Sequence, residues 1–152
     1  MSLRNQFTDA LKTSMKAGDS ARTSTLRMIM AKLKDADIAG RPRGVAVILD
    51  DEIIAMLRGM VKSRRESVEL YRQGNRPELA AKEEAEIAVI ESFLPQPMDD
   101  AALAAAVDKA IADSGATTPK DMGRVMAALK SAHGAALDMS RANPLVKARL
   151  AP

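Results

Sequence analysis

Cysteine and tryptophan are both missing from the 152 residues, and one tyrosine, two phenylalanines and one histidine are the whole ring inventory. Without cysteine there are no disulfides, no thiolate nucleophile and no cysteine-based metal site. The single histidine, His133, falls in a predicted loop. It has no cysteine to activate, and no serine stands in a strand-to-helix elbow, so a nucleophile–base pair is not visible. Glycine is scattered. Gly115 and Gly123 are isolated, so no glycine-rich phosphate loop exists. No apolar run reaches the roughly 18 residues of a membrane span. The start, MSLRNQFTDALKTSMKAGDS, lacks the apolar stretch of a signal peptide. Its Asp9 and Asp19 are of a kind that transit peptides avoid. The expected location is the cytoplasm, with no membrane partner.

What is present is aliphatic. Hydrophobic residues make up 47% of the chain and aromatics 2%, with ten methionines. Alanine and leucine favour helices, whereas the strand-forming aromatic and β-branched residues are fewer. The expected fold class is all-α. Methionine adds cores, and surfaces, that adapt to what they touch.

Periodicity places the helices. Leu3, Phe7, Leu11 and Met15 form one stripe from Ser2 to Ala17, with Ser2 as cap. Asp19 caps a second helix over 20–38, whose core face is Leu26, Ile29, Leu33 and Ala36. Gly40-Arg41-Pro42-Arg43-Gly44 reads as loop. A third helix starts at Asp50 and carries Ile53, Leu57, Val61, Val68 and Tyr71 inward. Gly74 ends it, and Pro77 opens a fourth that runs to about Phe93. Pro95 and Pro97 then stop helix formation. We therefore expect a four-helix N-terminal domain of two hairpins at 1–94, a linker at 95–98 and a three-helix domain at 99–152. In the last, Leu103, Val107 and Ile111 point inward on the first helix, ending at Gly115. Thr118, Pro119 and Asp121 open the second helix in a capping-box pattern, with Met122, Val125, Met126 and Leu129 inward. The third runs from about Ser140 to Leu150.

The stretch KSRRESVELYRQGNRPELAAKEEAEIAVIESFLPQPM at 62–98 resembles the YqeY family, and so does TTPKDMGRVMAALK at 117–130. The resemblance extends over essentially the whole chain. It implies a four-helix domain joined to a tail related to the tail of the B subunit of glutamine-dependent aminoacyl-tRNA amidotransferase. That kinship implies tRNA, or an amidotransferase–tRNA complex, as partner. It brings no active site. The amidase machinery belongs to another subunit, and the kinase-like region to the rest of the B subunit. A carbon–nitrogen ligase label with glutamine as amido donor would be inherited from the shared tail alone, without the machinery for that reaction.

Charge gives the candidate contacts. The net charge is +3. Residues 95–119 are acidic, while Lys120, Arg124, Lys130, Arg141, Lys147 and Arg149 make the remainder of the tail basic. Such asymmetry fits a polyanion, and it equally fits a solvated helix surface. The shortage of aromatics argues against a single-strand reader. It suits recognition of a folded RNA by shape and charge, with Arg124 and Lys120 foremost. Arg65 is a further RNA candidate. Arg64 falls inside the apolar stripe of its helix, and a hairpin about Asn75 would bring it level with Glu86. Gly123 would allow close approach of a helix, backbone or ligand. The Glu83, Glu84, Glu86 cluster lacks the histidine or cysteine that zinc recruits and is expected to form ion pairs. No catalytic, cofactor or metal residue is expected. The competing expectation is a protein–protein adaptor with a methionine-rich helical surface.

Overall fold

A computed structural model describes residues 1–96 and 98–151. Pro97, part of the expected linker, lies outside the described residues. Among these residues the regular structure is helical throughout: α1 (Leu3–Lys16), α2 (Ser20–Gly40), α3 (Asp50–Gln73), α4 (Pro77–Glu91), α5 (Asp100–Ser114), α6 (Met122–His133) and α7 (Met139–Leu150). Single 3-10 turns occupy Arg41–Arg43, Pro119–Asp121 and Gly134–Ala136. Contacts divide the chain into two compact units, Met1–Leu94 and Pro95–Pro152, each with its own core.

In the first unit, Ser2 caps α1 by accepting from the Asn5 amide at 3.3 Å, and Asp19 caps α2 by accepting from the Arg22 amide at 3.0 Å. Leu3 and Phe7 are buried, but Met15 is 54% exposed and Ser14 is buried instead. The four-residue stripe drifts about 40° per step, so Met15 is about 120° from Leu3, whereas Ser14 is only about 20° away. Ser14 Oγ lies 3.0 Å from the Leu11 carbonyl and 2.8 Å from Thr23 Oγ1 on α2. Both buried hydroxyls are thereby satisfied.

The segment expected to be loop from Gly40 splits between the end of α2 and the first 3-10 turn, and Gly44 leaves that turn at φ +78°. The Arg4 fork grips Asp37 through Nη1 at 2.9 Å and Nη2 at 2.6 Å. Arg4 Nη2 also donates to the Ile48 carbonyl at 2.9 Å, and the Ile48 amide donates to Asp37 at 2.8 Å. Ile48 is buried in the same core as Leu26, Ile29, Ile53 and Leu57.

The α3–α4 hairpin turns at Gly74 and Asn75. Gly74 is the end cap, and the left-handed residue is Asn75, at φ +55°. A side chain at Gly74 would come within 3.3 Å of the Leu70 carbonyl. Pro77 opens α4, where its missing N–H costs nothing. The helix ends at Glu91, two residues before the expected Phe93. Phe93 turns back instead, with its ring 4.9 Å from that of Phe7 and nearly perpendicular to it. Such an edge-to-face pair is worth about 0.5–1.5 kcal/mol beyond burial.

In the second unit Asp99 caps α5 by accepting from the Ala102 amide at 2.7 Å, and Gly115 ends it at φ +67°. Val107, Val125, Leu129, Ala142 and Val146 are fully buried at its centre. Asp138 caps α7 by accepting from the Ser140 amide at 3.0 Å. His133 is the last residue of α6 rather than part of a loop; Gly134, at φ +53°, ends the helix just after it.

Arg4 holds the Asp37 carboxyl below its usual range, the Ile48 amide adds to this, and burial opposes it. Since the folded pKa lies below the unfolded one, the stabilisation is complete above the unfolded value and is lost as pH falls through the folded one. Asp37→Asn should therefore cost about 1–2 kcal/mol near neutral pH, by urea melts. The gap from wild type should close as the pH drops below about 4. A gap that does not change with pH would contradict the fork's role.

Candidate nucleic-acid interface

The six candidate cations of the tail separate into two groups. Arg141 on α7 donates through Nη1 to the Met98 carbonyl at 2.6 Å and through Nη2 to Asp100 of α5 at 2.8 Å. Arg149, eight residues on, donates through Nε to Asp108, eight residues beyond Asp100. One offset of 41 residues relates both pairs, so α5 and α7 run parallel with matched charges. Much of the acidic-then-basic asymmetry in the sequence is thus spent inside the unit. Arg124 donates to Asp121 at 2.9 Å. Asp121 in turn accepts from the Thr117 and Thr118 amides at 2.9 and 3.1 Å, and these hold its carboxyl below the usual range, with Arg124 adding to the effect. The capping box is complete, and it opens a 3-10 turn before α6 begins.

Lys120, Lys130 and Lys147 are exposed and make no ion pair among the described residues. Lys130 and Lys147 lie in the last turns of α6 and α7, where a cation also complements the helix dipole. Gly123 is exposed, and a side chain there would meet no atom within 4 Å. Close helix packing within this chain is therefore not its reason.

In the first unit, Arg65 is paired with Glu91 at 2.5 Å, and Arg72 is paired with Glu84. Arg64 Nε donates to Glu86 at 3.0 Å, with Glu83 at 4.0 Å, and Nη1 reaches the Met60 carbonyl at 3.3 Å. Both Arg64 and Glu86 are largely buried. The glutamate cluster is thus occupied by arginines. No group of three His, Asp or Glu residues is placed to hold a metal ion among the described residues.

A groove between α2 and α3 was not expected from the sequence. It has a volume of about 640 Å³ and is lined by Met28, Met56 and Met60 with Ala31, Ala55, Gly59 and Ser63, and by the charged Lys32, Asp35 and Arg64. The signal was present in the spacing: Ala55, Gly59 and Ser63 recur every four residues, which gives α3 a shallow face beside its core stripe.

A protein of two small helical units, with cations on helix surfaces, is the class that the fold defines. The model of the YqeY family, described as Yqey-like protein, matches residues 4–150, and the chain belongs to that family. An uncharacterized protein of Schizosaccharomyces pombe is 30% identical over 86 residues, covering 57% of this chain and 67% of that protein. Altered inheritance of mitochondria protein 41, mitochondrial, of Lachancea thermotolerans is 28% identical over 86 residues, covering 57% of this chain and 44% of that protein. No helix of the described residues is long and apolar enough to cross a membrane.

Gly123→Ala should stabilise the second unit by about 0.5–1 kcal/mol, because an exposed helix glycine in open space carries only its entropic cost. A thermal melt that falls would mean that Gly123 is in close contact with another part of the protein. For the buried pair, Arg64→Met alone should cost about 3 kcal/mol or more by stranding Glu86, while Arg64→Met with Glu86→Leu should recover most of that loss. Equal losses in the single and double variants by urea melts would rule out a simple stranded charge.

Proposed function

We propose that this protein is a non-catalytic accessory factor that binds tRNA, or a complex containing tRNA, through phosphate contacts on its second unit. The observation that carries the reading is the set of exposed cations Lys120, Lys130 and Lys147, which make no ion pair among the described residues, in a chain of the YqeY family. Arg124, Arg141 and Arg149 contribute charge, but each must share it with a carboxylate. Lysines on helix surfaces act as point charges for phosphate and carry no base specificity. Cytoplasmic location belongs to this reading. The mitochondrial name of the Lachancea relative makes the mitochondrion the other compartment to test, and a tagged copy distinguishes the two.

The α2–α3 groove favours one other reading, an adaptor that receives a partner helix against methionine side chains. Salt separates the two. Phosphate contacts weaken steeply as salt rises, and apolar docking does not.

The test is filter binding of total tRNA to wild type and to Lys120→Gln/Lys130→Gln/Lys147→Gln, across a salt series. Removing three phosphate contacts should lower the magnitude of the log–log salt slope by about 2. If the folded triple variant binds as tightly as wild type with the same slope, the tail reading fails and the adaptor reading leads.

A further inference from the structure

The arginines of the first unit are not spread evenly between paired and unpaired. On the α3–α4 hairpin, Arg64, Arg65, Arg72 and Arg76 each face a glutamate within 4.0 Å. That hairpin also carries Lys62 and Lys82, exposed and without an ion pair among the described residues, and on the α1–α2 hairpin Arg4 is paired with Asp37. There Lys12, Arg27 and Lys34 are exposed and make no ion pair among the described residues.

Their placement follows from helix geometry. Lys34 stands seven residues after Arg27, two turns along one side of α2, about 10.5 Å away. Lys12 lies about 180° round α1 from Leu3, away from the core. The Ser14–Thr23 and Arg4–Asp37 contacts set the register of the hairpin, and they bring Lys12 level with Arg27. The nearby carboxylates offset these charges only in part. Asp37 is held by Arg4, and Asp35 lines the groove with Met28 and Lys32 on the other flank of α2. Asp9, three residues before Lys12, is exposed and makes no ion pair among the described residues, so it offsets part of the Lys12 charge.

We propose that this outer face of the α1–α2 hairpin is a second phosphate-contacting surface, on which Lys12, Arg27 and Lys34 meet the backbone of a folded RNA. The inference rests on the RNA-binding reading for the identity of the polyanion, but uses a different unit and different residues. Cations spaced a turn or two apart fit a chain of phosphates better than a single anion. An anionic membrane is the poorer match, because a membrane-surface helix needs a free apolar face. Here Leu26, Ile29 and Leu33 of α2 are taken up by the core.

The test compares wild type, Lys12→Gln/Arg27→Gln/Lys34→Gln and Arg72→Gln, in full-length protein with folding checked by circular dichroism. The probes are total tRNA, an RNA duplex of about 20 base pairs, and phosphatidylserine–phosphatidylcholine vesicles. The triple variant should lose affinity for both RNAs, and the magnitude of its salt slope should fall by about 2. Arg72→Gln should match wild type. Unchanged RNA affinity in the folded triple variant overturns the proposal, and so does vesicle binding without RNA binding. The tail variant Lys120→Gln/Lys130→Gln/Lys147→Gln, run in parallel, keeps the two readings apart. If it alone loses affinity, this face falls and the tail stands. If the α1–α2 variant alone loses affinity, the tail reading falls and this face stands.

Discussion

Asp37 takes two nitrogens of Arg4 and the amide of Ile48, and Arg4 also reaches the Ile48 carbonyl. The start of α1, the end of α2 and the segment leading into α3 are thereby held together. Without the fork, Ile48 would have no polar guide into the core, and the connection from Gly44 to Leu49 would have few constraints. Charge-assisted, bidentate contacts are among the strongest that a surface-proximal site can make. Leu3 adds a weaker tie, its amide donating to Asp50 at 3.4 Å. The entry into α3 therefore depends on residues nearly fifty positions earlier.

The same chemistry organises the other hairpins. Arg64 and Glu86 cross the α3–α4 interface, and Arg141 and Arg149 cross from α7 to α5. An arginine that serves as an internal cross-link has less charge to offer a partner. The lysines are the reverse: Lys109 apart, the tail lysines make no ion pair among the described residues. Arginine's planar fork suits fixed carboxylate partners, whereas lysine is a mobile, strongly hydrated point charge. The division between structural and available cations thus follows residue type in the tail unit.

Several features were legible from the sequence. The seven helices, the caps at Ser2 and Asp19, the proline opening α4 and the box at Thr118–Asp121 all rest on local rules about dihedrals and orphan amides. The Arg64–Glu86 juxtaposition follows from a hairpin register that one short turn determines. The α5–α7 charge ladder could have been read as well, since Asp100 and Asp108 share the eight-residue spacing of Arg141 and Arg149. It was missed because a match between helices that are not consecutive has no local signature.

What the sequence determined by itself was the all-helical class, the approximate bounds of each helix and the family, because these depend on contacts within a few residues or on motif order. Tertiary structure alone decided which cations remain available, that Ser14 rather than Met15 is buried, that Asn75 takes the left-handed position, and that α2 and α3 leave a methionine-lined groove. Each of these depends on where a neighbouring helix lies, to within a fraction of a turn. A drift of about 40° per four-residue step is enough to carry a side chain from the core to solvent, and no pattern within one helix records which neighbour it will meet.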